Sequence, residues 1–159
     1  MPNLNLQLLG SPQIYLDDAP LRDFVTRKTQ ALLIYLAVAG QAHTRQALAG
    51  LFWGNLSDQQ ASNNLRRVLP NLRTLVGSHL LIDRQQLQFD RTRPYWLDVE
   101  IFTNTVQVGL TATGATAQGI EQLKSALALY QGDFLAGFSL SDAPDFEVWA
   151  LLQREYLRR

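Results

Sequence analysis

The chain of 159 residues contains no cysteine, only two histidines and a single methionine. The absence of cysteine excludes a disulfide framework, a thiolate metal site and a cysteine nucleophile. No apolar run approaches the roughly 20 residues that a transmembrane helix needs. The first residues, Met1 to Asn5, lack the basic segment that opens a signal peptide. We therefore expect a cytoplasmic protein with no membrane partner.

The side-chain sets that carry catalysis are also missing. His43 and His79 stand alone, with no acid or second histidine at metal-ligand spacing. Asp17 and Asp18 are adjacent, which indicates a turn rather than a general acid and base pair. No glycine-rich loop of the kind that cradles phosphate is present. We expect no enzyme activity, no metal and no cofactor.

Charge is balanced over the whole chain but not along it. Residues 1–97 contain ten basic and six acidic residues, a net charge of +4, whereas residues 98–159 contain four basic and eight acidic residues, a net charge of −4. Twelve of the fourteen basic residues are arginines, which suit planar, bidentate contacts. A basic first half and an acidic second half predict two modules with different partners.

The first half alternates short strands and amphipathic helices. Apolar alternation predicts strands over 4–8 and 13–16, a turn over 17–20, and a further strand from Leu21 to Val25 that pairs back. Three helices follow, and their N-terminal caps and apolar spacing predict these bounds: Arg27 to about Ala39 after Thr26, Arg45 to about Phe52 after Thr44, and about 59–76 after Ser57 or Asp58. A hairpin over 79–90 ends this half.

The third helix has the most informative surface. Its apolar residues, at 65, 68, 69, 72, 75 and 76, form one buried face. The opposite face has no carboxylate and consists of Asn63, Asn64, Arg66, Arg67, Asn71 and Arg73. Arginine and asparagine bind guanine and adenine edges, and arginine also binds phosphate. The composition indicates a helix that lies against DNA, with a merely solvated face as the alternative.

Pro70 lies inside this helix, where it removes the backbone hydrogen bond to Arg66 and crowds that carbonyl. The apolar spacing nevertheless runs unbroken from 65 to 76. We therefore predict one continuous helix, kinked near Arg66.

A small sheet, three helices and a hairpin, in this order, predict an α+β winged helix-turn-helix domain over residues 1–93. The hairpin is then the wing, and Arg84 at its tip could reach the minor groove or the DNA backbone. Arg27 and Lys28 begin the first helix, where they are either a phosphate clamp or a solvated pair. Trp53 and Trp96 are expected in the core or between domains rather than as platforms for bases.

Residues 94–159 are expected to be all helical. Apolar residues recur at helical spacing around Phe102, Leu127 and Trp149, and a small-residue loop is expected over 109–119. Paired amphipathic helices favour a helical-hairpin module of the tetratricopeptide kind.

Several segments resemble a known family. The segments are Leu9-Gly10, Arg27 to Leu33, Leu51-Phe52-Trp53 and Asn64 to Arg67 with Asn71 to Arg73, followed by Trp96 to Val99 with Phe102, Ala126 to Tyr130 with Gly132 to Leu135, and Glu147 to Glu155. In order and spacing they resemble SARP-like transcriptional activators over nearly the whole chain. The resemblance implies an OmpR-type winged helix followed by the start of a bacterial transcriptional activator domain. It also implies DNA sites in direct repeats, bound by tandem copies. Because the chain stops within a helical pattern, we expect a fragment of a longer regulator.

Together these patterns predict a sequence-specific DNA-binding transcriptional regulator whose helix at about 59–76 enters the major groove of double-stranded DNA. We assign Asn63, Asn64, Arg67 and Asn71 to base edges, and Arg66 and Arg73 to phosphates. The helical half is expected to contact RNA polymerase or another copy of the regulator. The alternative is a helical scaffold or adaptor whose winged helix binds protein rather than DNA.

Overall fold

The computed structural model describes residues 2–111 and 117–158. Its N-terminal sheet has four strands: β1 (Leu4–Gln7), β2 (Gln13–Leu16), β3 (Ala19–Pro20) and β7 (Tyr95–Leu97). Their order in the sheet is β3-β2-β1-β7. β1 pairs antiparallel with β2 and parallel with β7. The first two strands confirm the predicted pair.

Two expectations about this sheet were wrong. Residues 21–25 form no strand, and the strand that pairs back on β2 is Ala19–Pro20, within the predicted turn. Residues 95–97 are a strand rather than part of a helical half. β7 acquires its conformation by pairing with β1 across some ninety residues of sequence, and local patterns contain no signal for such a partner.

The three helices of the first half follow the predicted bounds closely. They are α1 (Arg27–Ala39), α2 (Arg45–Trp53) and α3 (Asp58–Val76). Thr26, Thr44 and Ser57 cap them by accepting a backbone N–H three residues later. Gly40 ends α1 in the left-handed conformation at φ 75°, which glycine adopts without strain. α3 continues unbroken through Pro70, as predicted, while the kink remains a prediction.

The predicted hairpin is confirmed and is part of a three-stranded sheet. β5 (Leu80–Ile82) pairs antiparallel with β6 (Gln86–Phe89). A two-residue strand, β4 (His43–Thr44), pairs with the other edge of β6. The hairpin is thereby joined to the start of α2, which fixes its base relative to the helices.

The described part of the second half contains α4 (Asp98–Thr111), α5 (Ala117–Leu129) and α6 (Pro144–Arg158). The loop predicted over 109–119 is helical at both ends, and residues 112–116 lie outside the described residues. α4 packs against α5, whereas α6 packs on α2 of the first half. Part of the apolar pattern faces outward, since Leu127, Leu152 and Tyr156 are more than half exposed.

The two halves share one hydrophobic core. Phe146 of α6 is fully buried against Phe52 of α2, with ring centroids 5.3 Å apart. Trp149 lies between Tyr35 of α1 and the buried Phe134, at 4.8 and 5.7 Å. The boundary predicted at residues 93 and 94 is therefore crossed by close aromatic contacts.

The end of β1 is the second junction between the halves. Leu9 forms a β-bridge with Phe134, and Gly10 N–H donates to the carbonyl of Asp133. The backbones approach so closely that a Cβ on Gly132 would lie 3.2 Å from Gly10 Cα. Two segments that carry the family resemblance therefore meet in space.

Asp98 joins the sheet to α4. Its buried carboxylate accepts backbone N–H bonds from Leu8, Leu9 and Val99 at 2.8–2.9 Å. Burial raises the pKa of this carboxyl, and the three N–H donors oppose that rise. The N–H groups of Leu8 and Leu9 lie beyond the ladder of β1, and Asp98 gives them the acceptor that burial requires.

We expect Asp98→Ala to lower the free energy of unfolding by about 2–4 kcal/mol, because buried N–H groups lose their acceptor. Asp98→Asn keeps one acceptor oxygen and should lose less. Urea unfolding measures the effect, with the exposed Glu121→Ala as the control, expected within about 0.5 kcal/mol of the unmodified chain. Equal stability of Asp98→Ala and Glu121→Ala would show that this carboxylate does not join the halves.

Candidate nucleic-acid interface

α3 separates an apolar face from a basic one. Ala61, Leu65, Val68, Leu69, Leu72 and Val76 are buried against the rest of the domain. On the other side Arg66, Arg67 and Arg73 are exposed, and in the described part of the chain none of their side chains forms a hydrogen bond or ion pair. These guanidiniums keep all their donors for an external partner.

The asparagines of α3 are less alike than the sequence suggests. Asn63 is half-buried and accepts a hydrogen bond from Gln59 one turn earlier, at 3.1 Å. Asn64 is half-buried and borders a cavity together with Arg67. Each retains polar atoms that can meet a ligand, since an asparagine amide has two donors and an acceptor with two lone pairs.

Asn71 has a structural task that the sequence did not reveal. Its Oδ1 accepts the N–H of Val25 at 2.8 Å, and its Nδ2 donates to the carbonyl of Asp23 at 3.1 Å. Both ends of the amide are therefore used to hold the segment before α1 against α3. In the segment 21–25, which is not a strand, Asp23 and Val25 thus bond to a side chain, whereas Leu21 N–H donates to the Ile14 carbonyl of β2.

Arg27 and Lys28 do not form the free pair expected of a phosphate clamp. Arg27 is exposed, and its Nη1 donates to the carbonyl of Ser139 at 3.3 Å. Lys28 Nζ lies 3.1 Å from Asp142 Oδ2, and only 12% of its side chain is exposed. Both side chains therefore contact the loop before α6, which belongs to the acidic half.

The tip of the hairpin is held in place by its neighbours. Asp83 Oδ1 accepts the N–H groups of Gln85 and Gln86 at 2.7 and 2.6 Å. These bonds lower the pKa of the Asp83 carboxyl below its ordinary value. Arg45 of α2 donates to the Asp83 carbonyl at 2.9 and 2.6 Å. Arg84 is exposed on this turn. Asp83 at the first position of the turn was the sequence signal for it, since aspartate favours such turns.

The described residues offer no comparable support for a metal ion or a membrane as the partner. Among the described residues, no group of three or more His, Asp or Glu side chains is placed to hold a metal ion. His79 is fully buried, and its Nε2 lies 2.7 Å from the carbonyl of Pro94, which gives it a structural role. Within the ranges 2–111 and 117–158, no helix is both long enough and apolar enough to cross a membrane. Trp53 is buried and Trp96 half-buried, as expected for residues of the interior.

Comparison with known proteins shows a likeness of fold to a solved structure. No protein-family model matches the chain, and no curated protein matches it. The fold is similar to that of a solved structure, Mycobacterium tuberculosis EmbR in complex with a low-affinity phosphopeptide, with a TM-score of 0.75 and 22% sequence identity. The fold is EmbR-like. The likeness covers 99% of this chain and 43% of the EmbR chain, so this chain spans less than half of EmbR.

The EmbR-like fold extends over both halves of the chain, and it is a mixed α+β fold, as the sequence predicted. The structure brings Asn64, Arg67, Arg27 and Lys28 to one cavity. It leaves Arg66, Arg73 and Arg84 exposed. Asn71 instead bonds to the backbone of the segment before α1.

We expect Asn71→Ala to lower the free energy of unfolding by about 1–2 kcal/mol, because it removes two hydrogen bonds to the backbone. Arg73→Ala, on the exposed side of the same helix, should stay within about 0.5 kcal/mol of the unmodified chain. Urea unfolding compares the two variants, and limited proteolysis within residues 21–25 should accelerate only in Asn71→Ala. Equal effects of both variants would contradict the role of Asn71.

Proposed function

We propose that this chain is a sequence-specific DNA-binding transcriptional regulator. One observation supports this above all others: Arg66, Arg67 and Arg73 of α3 are exposed and, within residues 2–111 and 117–158, have no intramolecular partner, while the opposite face of the helix is buried in the core. A rigid helix with free guanidiniums on one side can enter the major groove and meet base edges and phosphates. The EmbR-like fold agrees with a regulator.

Within this proposal, residues 1–93 are the winged-helix DNA-binding domain and 94–159 the first part of an activator domain. Asn63, Asn64 and Arg67 meet base edges, and Arg66 and Arg73 meet phosphates. The exposed Arg84 on the ordered hairpin tip contacts the minor groove or the backbone beside the major-groove site. Asn71 is not among the residues that meet base edges in this proposal, because both ends of its amide bond to the backbone of Asp23 and Val25.

The helical half contacts another protein in this proposal, either RNA polymerase or a second copy of the regulator. The outer face of α6 exposes a stripe of large apolar side chains, which suits a protein partner. The stripe consists of Val148, Leu151, Leu152 and Tyr156, each about half exposed or more. A DNA-binding role also places the protein in the cytoplasm.

The 159-residue chain should bind duplex DNA with a salt-dependent affinity. Each phosphate contact contributes about −0.9 to the slope of log K against log salt, so two to four contacts predict a slope of about −2 to −4. Fluorescence anisotropy with a labelled duplex at several salt concentrations measures the slope. The assay needs all 159 residues, because α6 covers the buried Phe52 of α2. Absence of binding to both random and selected duplexes would overturn the proposal and favour the protein-binding scaffold.

Base reading should distinguish two neighbouring arginines. Arg67→Ala should weaken binding to a selected site by about 1–3 kcal/mol and weaken binding to random duplex less, if Arg67 meets a base edge. Arg66→Ala should weaken binding to both duplexes alike and make the salt slope shallower by about 0.9. The two variants are matched controls, since both arginines are exposed on the same helix and neither has a partner in the part of the chain that the structure describes. Equal losses on both duplexes would contradict this division of roles.

A further inference from the structure

Lys28 is a basic residue at the candidate interface whose charge is already neutralised. Its Nζ lies 3.1 Å from Asp142 Oδ2, with 12% of the lysine side chain and 59% of the aspartate side chain exposed. The ammonium also lies 5.3 Å from the centre of the Trp53 ring, a cation–π distance. The lysine is thus held in place, while the acid that pairs with it faces solvent.

The loop that carries Asp142 is firmly anchored. The ring centroids of Phe138 and Phe146 are 6.5 Å apart, and the Arg27 guanidinium carbon lies 5.7 Å from the centroid of the Phe138 ring. Leu140 is buried, and its N–H donates to the Glu147 carboxylate of α6. The position of Asp142 beside Lys28 is therefore set by the packing of the second half against the first.

Asp142 also lies at the face of α3 that is proposed to meet DNA. A cavity of about 580 Å³ separates the loop from α3. Its basic and amide lining consists of Arg27, Lys28, Asn64 and Arg67, and Ser139 to Asp142 close its other side. An anionic group entering from solvent meets three basic side chains and the exposed carboxylate of Asp142, which repels it.

We propose that Asp142 competes with a DNA phosphate for Lys28, so that the acidic half lowers the DNA affinity of the winged helix to which it is attached. This inference rests on the proposed DNA-binding function. The competition is a direct ion exchange: when the Lys28–Asp142 pair opens, the ammonium can bind phosphate instead, and when it closes, that contact is lost. A partner that binds the exposed carboxylate of Asp142 would release Lys28 and strengthen DNA binding by the same step.

Asp142→Asn tests the competition, because the amide keeps the shape of the side chain and removes its charge. We expect about 3- to 10-fold tighter binding to duplex DNA at low salt, and a salt slope steeper by about 0.9 as Lys28 gains a phosphate. The control is Glu121→Gln, which removes the acid of an exposed lysine pair within the second half, Glu121 and Lys124 at 3.7 Å. This control should leave the slope unchanged.

The Lys28→Gln background separates release of the lysine from a general change of charge. There Asp142→Asn should no longer steepen the salt slope, because no ammonium is left to bind phosphate. The competition is overturned if Asp142→Asn resembles Glu121→Gln, or if it steepens the slope equally with and without Lys28. DNA binding by the unmodified chain together with either result would leave the proposed function intact. If neither the unmodified chain nor Asp142→Asn binds DNA, both proposals fail.

Discussion

The carboxylate of Asp98 is the contact on which the arrangement of this molecule depends. It lies at the start of α4 and accepts N–H groups from the end of β1, ninety residues earlier in the chain. Two successive buried donors at a strand end must find an acceptor, and a carboxylate can accept several hydrogen bonds at once. β7 lies beside β1 immediately before Asp98, so the strand pairing and this cap fix the same junction.

The junction continues into the second half through the turn at Phe134. Leu135 N–H donates to the carbonyl of Leu8, and Gly10 N–H donates to that of Asp133. α6 then completes the core of the first half by placing Phe146 against Phe52. The two halves are therefore joined by a shared packed core and not by a linker alone. This packing places Asp142 of the second half 3.1 Å from Lys28 of the first.

Helices with clear caps were predictable because their signals are local. Thr26, Thr44 and Ser57 stand directly before an apolar period of 3.6 residues, and each proved to be the N-cap. The hairpin was predictable for a similar reason, since a polar turn separates two short apolar runs. The errors lie where the partner is remote: Tyr95–Leu97 is a strand because β1 lies beside it, and within the non-strand segment 21–25 the backbone of Asp23 and Val25 bonds to the side chain of Asn71.

The sequence by itself determined the three helices of the first half, the hairpin that follows them and the carboxylate-free face of α3, since each follows from residue spacing within a single element. The tertiary structure decided which of those side chains are free. Asn71 and Arg67 are four residues apart and similar by pattern. Asn71 bonds to the backbone of Asp23 and Val25, whereas Arg67 has no partner among the described residues. Lys28 is neutralised by Asp142, more than one hundred residues away in the chain. Hydrogen bonds and ion pairs depend on distances of about 3 Å, and only the folded chain sets such distances between residues far apart in sequence.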